Sequence, residues 1–292
     1  MNQLGKLGVW ANTNGMKAPE AADFARRLEE WGYAALWIPE TTGRNPMAHA
    51  AWLLANTTKL VIATGIASIY ARDAQATASA QNTLNEQSGG RFLLGLGVSH
   101  APSVEGVRGH TYGKPVATMR AYLDAMDRAA YDALRPADKP RTVLAALGPH
   151  MLALSRDRTD GAHPYFAPVQ HTAEARGILG AGKWLCVEQM VLGDTDAARA
   201  RAAARKISTR YLGLDNYRNN LLRFGFSKAE LDGAADRVID AVVAWGDAPS
   251  IRARLQAQWQ AGADHVCIQA LHPEGRFAPD EALLEKLAPA RG

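Results

Sequence analysis

Short apolar runs alternate with longer amphipathic segments along the whole chain. The first run, Lys6 to Ala11 (KLGVWA), predicts a strand. From Ala21 to Trp31, apolar positions recur with helical spacing, after Pro19 and before Gly32. Seven further apolar runs predict strands, at Ala35–Ile38, Leu60–Ile66, Phe92–Leu96, Thr142–Leu147, Ala162–Phe166, Trp184–Leu192 and His265–Leu271.

The stretch from Leu60 to Pro102 shows the repeating unit clearly. An apolar run is followed by a predicted helix with Asp73 as N-cap and Gly89 as terminator, and then by a second apolar run. That second run ends in Gly97-Val98-Ser99-His100. Small and polar residues therefore follow each strand at its carboxyl end, where parallel α/β proteins place their chemistry.

Eight strand–helix alternations predict a (β/α)8 barrel, the TIM-barrel class of α/β fold, spanning residues 1–292 as a single domain. The strands are uniformly apolar, as strands covered on both faces should be. Insertions are expected at about 100–141 and 193–264. The aromatic-rich middle of the second insertion predicts packing over the barrel mouth or a neighbouring subunit, and a separate helical hairpin is the alternative.

Composition and charge exclude several classes of protein. The chain is 47% hydrophobic with a net charge of +4, and its densest basic patch, Arg199 to Arg210, is interpreted as one helix face rather than a nucleic-acid surface. No apolar stretch is long enough for a membrane span, so we expect a cytoplasmic protein. Cys186 and Cys267 lie in apolar runs and predict buried thiols, without a disulfide or a metal site.

Several kinds of active site fit the strand ends poorly. Gly95-Leu96-Gly97 lacks the third glycine of a dinucleotide-binding turn, because His100 occupies that position. Glu40 and Glu188 do not make a glycosidase pair, since Glu188 lies inside a predicted strand. The histidines show no metal-binding spacing, and no serine-nucleophile elbow is present.

A flavin-like cofactor fits better. Gly65 interrupts a strand, which indicates a bulge or a close backbone approach. Gly97-Val98-Ser99 and Leu147-Gly148-Pro149 are small-residue turns after two further strands. Such turns bring backbone N–H groups to an anion such as a phosphate.

Three segments at these strand ends carry a family resemblance. TGIAS, SGGRFLLGLGVSHAP and ALGPHML resemble the luciferase-like monooxygenase superfamily, and more narrowly its branch that uses the deazaflavin coenzyme F420. The resemblance implies a TIM barrel that holds the cofactor ring at the carboxyl mouth. It also implies a homodimer and a small-molecule substrate.

The resemblance also implies site residues. A bulge with a cis peptide between Gly65 and Ile66, continuing to Ala67, would back the ring. Backbone groups of Gly97, Val98 and Ser99, and of Leu147, Gly148 and Pro149, would approach the ring edge, ribityl chain or phosphate.

Two side chains stand out as catalytic candidates. Glu40 matches an acid of the deazaflavin dehydrogenases, whereas Thr41 and His100 replace a histidine and a second acid of that pattern. His100 is expected nearest the reacting carbon, with Glu40 at the ring edge or in a proton relay. Trp10 and His163 are weaker candidates for substrate contact, and a place in the core is the alternative for both.

The expected reaction is hydride transfer between F420 and a small organic substrate. One alternative is an FMN-dependent monooxygenase supplied by a separate cofactor reductase. A second is a non-catalytic flavin-binding relative that keeps the barrel.

Overall fold

The computed structural model describes residues 4–276 and 278–289. Its strands are β1 Leu7–Trp10, β2 Ala35–Ile38, β3 Val61–Thr64, β4 Ala67–Ser68, β5 Phe92–Gly97, β6 Arg141–Leu144, β7 Gly161–Ala162, β8 Trp184–Leu192, β9 Val243–Trp245 and β10 His265–Ala270. Its helices are α1 Ala18–Glu30, α2 Pro46–Ala55, α3 Ala74–Ser88, α4 Pro115–Asp127, α5 Pro149–Arg158, α6 Val169–Leu179, α7 Ala197–Leu212, α8 Asp215–Arg223, α9 Lys228–Asp232, α10 Asp236–Val242, α11 Ala248–Gln260 and α12 Glu281–Leu287. A π-helical segment, Pro102–Val107, precedes α4.

Eight parallel strands close into a barrel, which confirms the predicted TIM-barrel fold. Their order is β1-β2-β3-β5-β6-β7-β8-β10, and β10 pairs with β1 to complete the circle. β4 resumes the line of β3 after Gly65 and Ile66 and pairs with β5. β9 pairs with the carboxyl end of β8, beyond the part that pairs with β7.

Local signals define the elements around β3 and β5 as expected. The Asp73 side chain accepts a hydrogen bond from the N–H of Ala76 and starts α3. Gly89 ends that helix with a φ of 64°, a left-handed conformation that glycine adopts without strain. The sequence signals for this strand–helix–strand unit are therefore confirmed.

Three predicted elements are shorter than expected. The sequence pattern predicts a helix over about 116–134, but this helix, α4, ends at Asp127, and Pro136 and Pro140 beyond it disfavour helix. The strand predicted to reach Phe166 contains only Gly161 and Ala162, because Pro164 lacks a backbone donor and Phe166 has a positive φ of 53°. The strand predicted over Thr142–Leu147 ends at Leu144.

The barrel interior is aromatic and apolar, with a few buried polar groups. The Trp37 side chain is fully buried; its Nε1 donates to His265 3.0 Å away, and its ring stacks on His163 at 4.3 Å. Cys186 and Cys267 are buried free thiols in the same layer.

A second core lies between β8 and β10 in the sequence, built on α7, α8 and α10. Its aromatic residues Tyr211 and Tyr217 pack on Tyr165 and Phe166 at the mouth. The segment thus has a core of its own, and its tyrosines pack on residues that follow β7. α11, which completes the segment, packs against β8 and β10 as barrel helices do.

Neither a membrane-spanning helix nor a cluster of metal-binding side chains occurs among the described residues. No helix in this part of the chain is long and apolar enough to cross a membrane. Across residues 4–276 and 278–289, no group of three or more His, Cys, Asp or Glu side chains could hold a metal ion.

Candidate active site

One half of the mouth lies at the carboxyl ends of β3, β5 and β6. Gly97 is buried beneath Ile66, and a methyl group at Gly97 would lie 2.5 Å from Cδ1 of Ile66. The same methyl would lie 3.2 Å from Cβ of Ala145. Glycine is therefore needed for Ile66 to lie over the end of β5. We call this surface, formed by Ile66, Gly97, Val98 and Leu147, the open face, because Ile66, Val98 and Leu147 are partly exposed.

The predicted bulge connects this face to two more strands. The peptide bond between Gly65 and Ile66 is cis, as expected. The carbonyl of Gly65 accepts a hydrogen bond of 2.8 Å from Nε1 of Trp10, and that of Ile66 accepts one of 3.3 Å from the N–H of Glu40. Side chains after β1 and β2 are thus brought to the edge of the open face.

Glu40 is anchored by cations and backbone. Its Oε2 accepts hydrogen bonds from the N–H of Ser68 at 2.7 Å and from Arg72 at 3.1 Å, and its Oε1 pairs with the same guanidinium. The guanidinium of Arg108 lies 3.9 Å away. Only 6% of the Glu40 side chain is exposed. The structure therefore places Glu40 beside the bulge, with both carboxylate oxygens engaged.

Ser99 and His100 follow the carboxyl end of β5. Ser99 has a φ of 58°, a conformation that non-glycine residues seldom adopt and that concentrates at functional sites. The His100 ring lies 5.5 Å from the ring of Tyr217. Burial lowers the pKa of His100, whereas a hydrogen bond that the ring donates to the Asn216 side chain raises it and the charge of Arg210 lowers it. No hydrogen bond or ion pair joins His100 to Glu40 in the part of the chain described.

Leu147, Gly148 and Pro149 follow β6, as the sequence predicts, and begin helix α5. Gly148 is the N-cap, without a side-chain cap, and Pro149 is the first helical residue. The carbonyl of Leu147 accepts a 2.9 Å hydrogen bond from His171, and Arg223 of α8 approaches it at 3.4 Å. The start of a helix carries free N–H groups and a partial positive charge, which suit a phosphate.

Aromatic side chains fill the other half of the mouth. The hydroxyl of Tyr165 lies 2.6 Å from that of Tyr211 and 2.7 Å from Oε1 of Gln269. The Tyr165 ring also lies 5.3 Å from Trp10. We call the layer of Tyr165, Phe166, Tyr211 and Tyr217 the aromatic layer. Beside it remains a cavity of about 70 Å³, whose lining includes Trp10, Arg210, Tyr211 and Gln269.

His163, a weak substrate candidate, lies deep in the interior. Its Nδ1 lies 2.9 Å from the carbonyl of Cys186, so that nitrogen carries the proton. Nε2 is buried and has no hydrogen-bond partner in the described part of the chain. Burial lowers the pKa of His163 to about 4, and the ring is neutral at pH 7. Its position beneath Gly65 places it closer to the core than to the open face.

A carboxyl group that sequence reasoning set aside lies under the aromatic layer. Glu188 on β8 is 2% exposed, and its Oε2 accepts a 3.1 Å hydrogen bond from the N–H of Phe166. Its Oε1 is buried and has no hydrogen-bond partner within residues 4–276 and 278–289. Burial raises the pKa of Glu188 to about 8. A charged residue type within the apolar run WLCVEQMVL was the available signal.

The fold and the turns after β3, β5 and β6 define a TIM barrel with a candidate ligand site at its carboxyl mouth. Sequence comparison identifies the family. The sequence profile of the luciferase-like monooxygenases matches residues 3–265. The chain belongs to this family of enzymes, which confirms the resemblance found in the sequence.

Two relatives are informative. A Mycobacterium tuberculosis protein, provisionally named a coenzyme F420-dependent oxidoreductase, is 30% identical over 172 residues, which cover 58% of this chain and 47% of the relative. The chain thus spans about half of that relative's length. A 5,10-methylenetetrahydromethanopterin reductase of Methanolobus tindarius is 26% identical over 277 residues, which cover 84% of this chain and 82% of the reductase.

Solved structures share the fold. An F420-dependent secondary alcohol dehydrogenase, solved with an F420–acetone adduct, superposes with a TM-score of 0.73 at 16% identity, covering 97% of this chain and 96% of the other. EDTA monooxygenase from a Chelativorans species gives 0.75 at 13% identity, covering 98% and 92%. At these identities the likeness concerns the fold alone.

Proposed function

We propose that this chain is an oxidoreductase that binds coenzyme F420 on the open face and transfers a hydride between it and a small organic substrate. The observation that carries the proposal is the close packing of Ile66 over Gly97, beside partly exposed Val98 and Leu147. This surface is apolar, partly exposed and lies at three adjacent strand ends. Family membership and the relatives named for F420 support the choice of cofactor.

The size of the cavity beside the aromatic layer supports this placement. It measures about 70 Å³, whereas pockets for ligands of drug size measure about 300–1,000 Å³. A tricyclic ring is therefore too large for the cavity beside Trp10 and Tyr211, which favours the open face as its place. Bound there, the deazaflavin would supply a hydride donor or acceptor at C5.

Each predicted cofactor residue has a role in this arrangement. Ile66 and Ala67 would back the ring, and Gly97 and Val98 would lie along its edge. Ser99 and Leu147 would flank the ribityl chain. Gly148, the N-cap of α5, would hold the phosphate through its backbone N–H, and Pro149, which has no N–H, would fix the start of the helix beside it.

The two predicted catalytic side chains, His100 and Glu40, have different roles in this arrangement. His100 is neutral at pH 7 and can donate or accept a hydrogen bond beside the reacting atoms, as proposed from the sequence. Glu40 is engaged by Arg72 and Ser68, so we assign it to holding those groups at the ring edge rather than to moving a proton. Trp10 and His163 would form the wall and floor of the substrate space.

Titration of the ligand-free protein with F420 and with FMN tests the proposal. We expect the dissociation constant for F420 to be at least about tenfold lower, a difference of about 1.4 kcal/mol. A clear preference for FMN would instead favour a flavin monooxygenase fed by a separate reductase. Failure of both to bind, or F420 binding without turnover of any substrate, would favour a non-catalytic relative.

Assembly as a homodimer is a further part of the proposal. The alanine-rich helices α2 and α3 carry it, and Trp52 of α2 is 42% exposed. Sedimentation velocity at micromolar concentration should give a dimer, and a monomer at that concentration would contradict the assignment.

A further inference from the structure

Glu188 is a buried acid for which the fold has no evident need. Its side chain is on β8 among interior residues of the barrel, and it faces Cys267 across the β8–β10 pairing. A carboxyl group transferred from water into an apolar interior costs several kcal/mol unless its oxygens are paired. Among the described residues, Oε1 of Glu188 has no partner. An unpaired buried polar atom of this kind calls for a ligand or a catalytic role.

The other carboxyl oxygen, Oε2, is held by a backbone hydrogen bond. Oε2 accepts a hydrogen bond from the N–H of Phe166, whose φ of 53° is strained for a residue with a side chain. This turn follows the short strand β7 and orients the N–H toward Glu188. The contact holds one carboxyl oxygen in place and leaves the other available.

The surroundings of Glu188 are aromatic and uncharged. The titratable groups that face it are the hydroxyls of Tyr165, Tyr211 and Tyr217 and the thiol of Cys267, and burial raises the pKa of all four. These groups are neutral at pH 7. A carbonyl or hydroxyl oxygen that reached Glu188 would meet a neutral carboxylic acid.

Tyr217 connects this acid to the predicted catalytic histidine. Its ring lies 5.5 Å from that of His100, and the Glu188 carboxylate contributes to raising its pKa. Tyr217 belongs to α8, in the segment between β8 and β10. Its side chain therefore contacts the His100 ring and also belongs to the aromatic layer above Glu188.

We propose that Glu188 is the proton donor and acceptor for an uncharged carbonyl or alcohol substrate, with Oε1 bonded to the substrate oxygen. This inference rests on the proposed function. In carbonyl reduction the carbon receives the hydride from C5 of the reduced deazaflavin, and the π electron pair of the C=O bond moves to oxygen. That oxygen takes the proton from Glu188. The products are the alcohol, the oxidised cofactor and a carboxylate, which regains a proton from water.

An infrared titration of the ligand-free protein tests the first part. Glu188→Gln keeps the oxygen that accepts from Phe166 and removes only the acidic proton. The difference spectrum against wild type should contain the C=O stretch of a protonated carboxyl, and this band should disappear as the pH rises through about 8. Glu285→Gln, on the exposed side of α12, should leave the band unchanged. Absence of the band at pH 7 would overturn the proposal.

Single-turnover reduction of propanone, cyclohexanone and benzaldehyde by protein loaded with reduced F420 tests the second part. Glu188→Gln should slow the step by at least about a hundredfold with F420 affinity unchanged, and the wild-type rate should fall above about pH 8. A variant within threefold of wild type would overturn the proposal. So would wild type that binds F420 and reduces none of the three probes. Loss of F420 binding in wild type would instead refute the proposed function, and the infrared titration would still decide the protonation of Glu188.

Discussion

Glu40 and Glu188 show how differently the two halves of the mouth hold a carboxyl group. Glu40 borders the open face, where Arg72, Arg108 and a backbone N–H surround it. Glu188 lies beneath the aromatic layer with one backbone contact and no cation beside it. The first environment ties the carboxyl group to a guanidinium and a backbone N–H, and the second favours a neutral acid. Two identical side chains thus acquire different chemistry from desolvation and pairing alone.

Removing the cation from Glu40 should have the largest effect. Arg72→Met leaves a carboxylate that is 6% exposed with Arg108 as its remaining, more distant cation. We expect a loss of about 3 kcal/mol in the free energy of unfolding, measured by urea denaturation. The double variant with Glu40→Gln should regain most of that loss. Equal stability of single and double variants would show that the pair does not couple.

The pH dependence of stability should reveal the neutral acid. Burial raises the pKa of Glu188 to about 8, so the native state binds one more proton than the unfolded chain from about pH 4.5 to 8. Stability therefore falls by about 1.4 kcal/mol per pH unit from this group as pH rises. Below pH 6.5 the fall is outweighed by His49, His163 and His265, whose pKa burial lowers to about 4.

Wild type should thus be most stable near pH 6.5 and lose stability towards pH 8. Glu188→Gln should keep the rise below pH 6.5 and lose the fall above it. Urea denaturation at half-unit pH intervals measures both limbs. A wild-type free energy of unfolding that is flat between pH 6.5 and 8 would show that Glu188 is ionised in the folded protein.

The open face can be tested by filling the space above Gly97. Gly97→Val pushes the end of the Ile66 side chain outward, because even a methyl group would lie 2.5 Å from its Cδ1. We expect F420 affinity to fall at least about tenfold, or about 1.4 kcal/mol. Gly177→Ala, where the added carbon meets nothing within 4 Å, is the matched control. Unchanged affinity in Gly97→Val would place the ring elsewhere.

Substitution of His100 can distinguish a role in the chemical step from a role in cofactor binding. His100→Ala should lower turnover at least about tenfold and leave F420 affinity nearly unchanged, because its ring is a neutral hydrogen-bonding group at the edge of the mouth. Weakened F420 binding together with an unchanged single-turnover rate in saturated enzyme would make His100 a cofactor-binding residue.

The barrel and the open-face half of its mouth can be predicted from the sequence. Strand spacing, the Asp73 cap and the Gly89 terminator act locally, so the pattern of residues predicts them. Gly65 and Gly97 are also visible in the sequence, because glycine inside an apolar strand indicates close packing. The partnership of Glu40 with Arg72 is not visible, since 32 residues separate them and only the return of the chain beside β2 brings them together.

The sequence predicts only part of the aromatic layer. The sequence places Tyr211 and Tyr217 in a segment expected to cover the mouth, but it does not show that Tyr165 and Phe166 rise from the interior to meet them. For the same reason Glu188 was set aside as a strand residue. Its significance depends on burial and on a missing partner, and both arise from the packing of three separate elements.

Hydrogen exchange of the protein with and without F420 tests the central claim most directly. If the cofactor binds on the open face, amide protection should increase in peptides covering residues 64–72, 96–101 and 145–151, and much less in peptides covering β1 and β10. The same protection should be absent with Gly97→Val at an F420 concentration that saturates wild type. Protection confined to β1, β10 and residues 204–226, or no protection at saturating F420, would contradict the account.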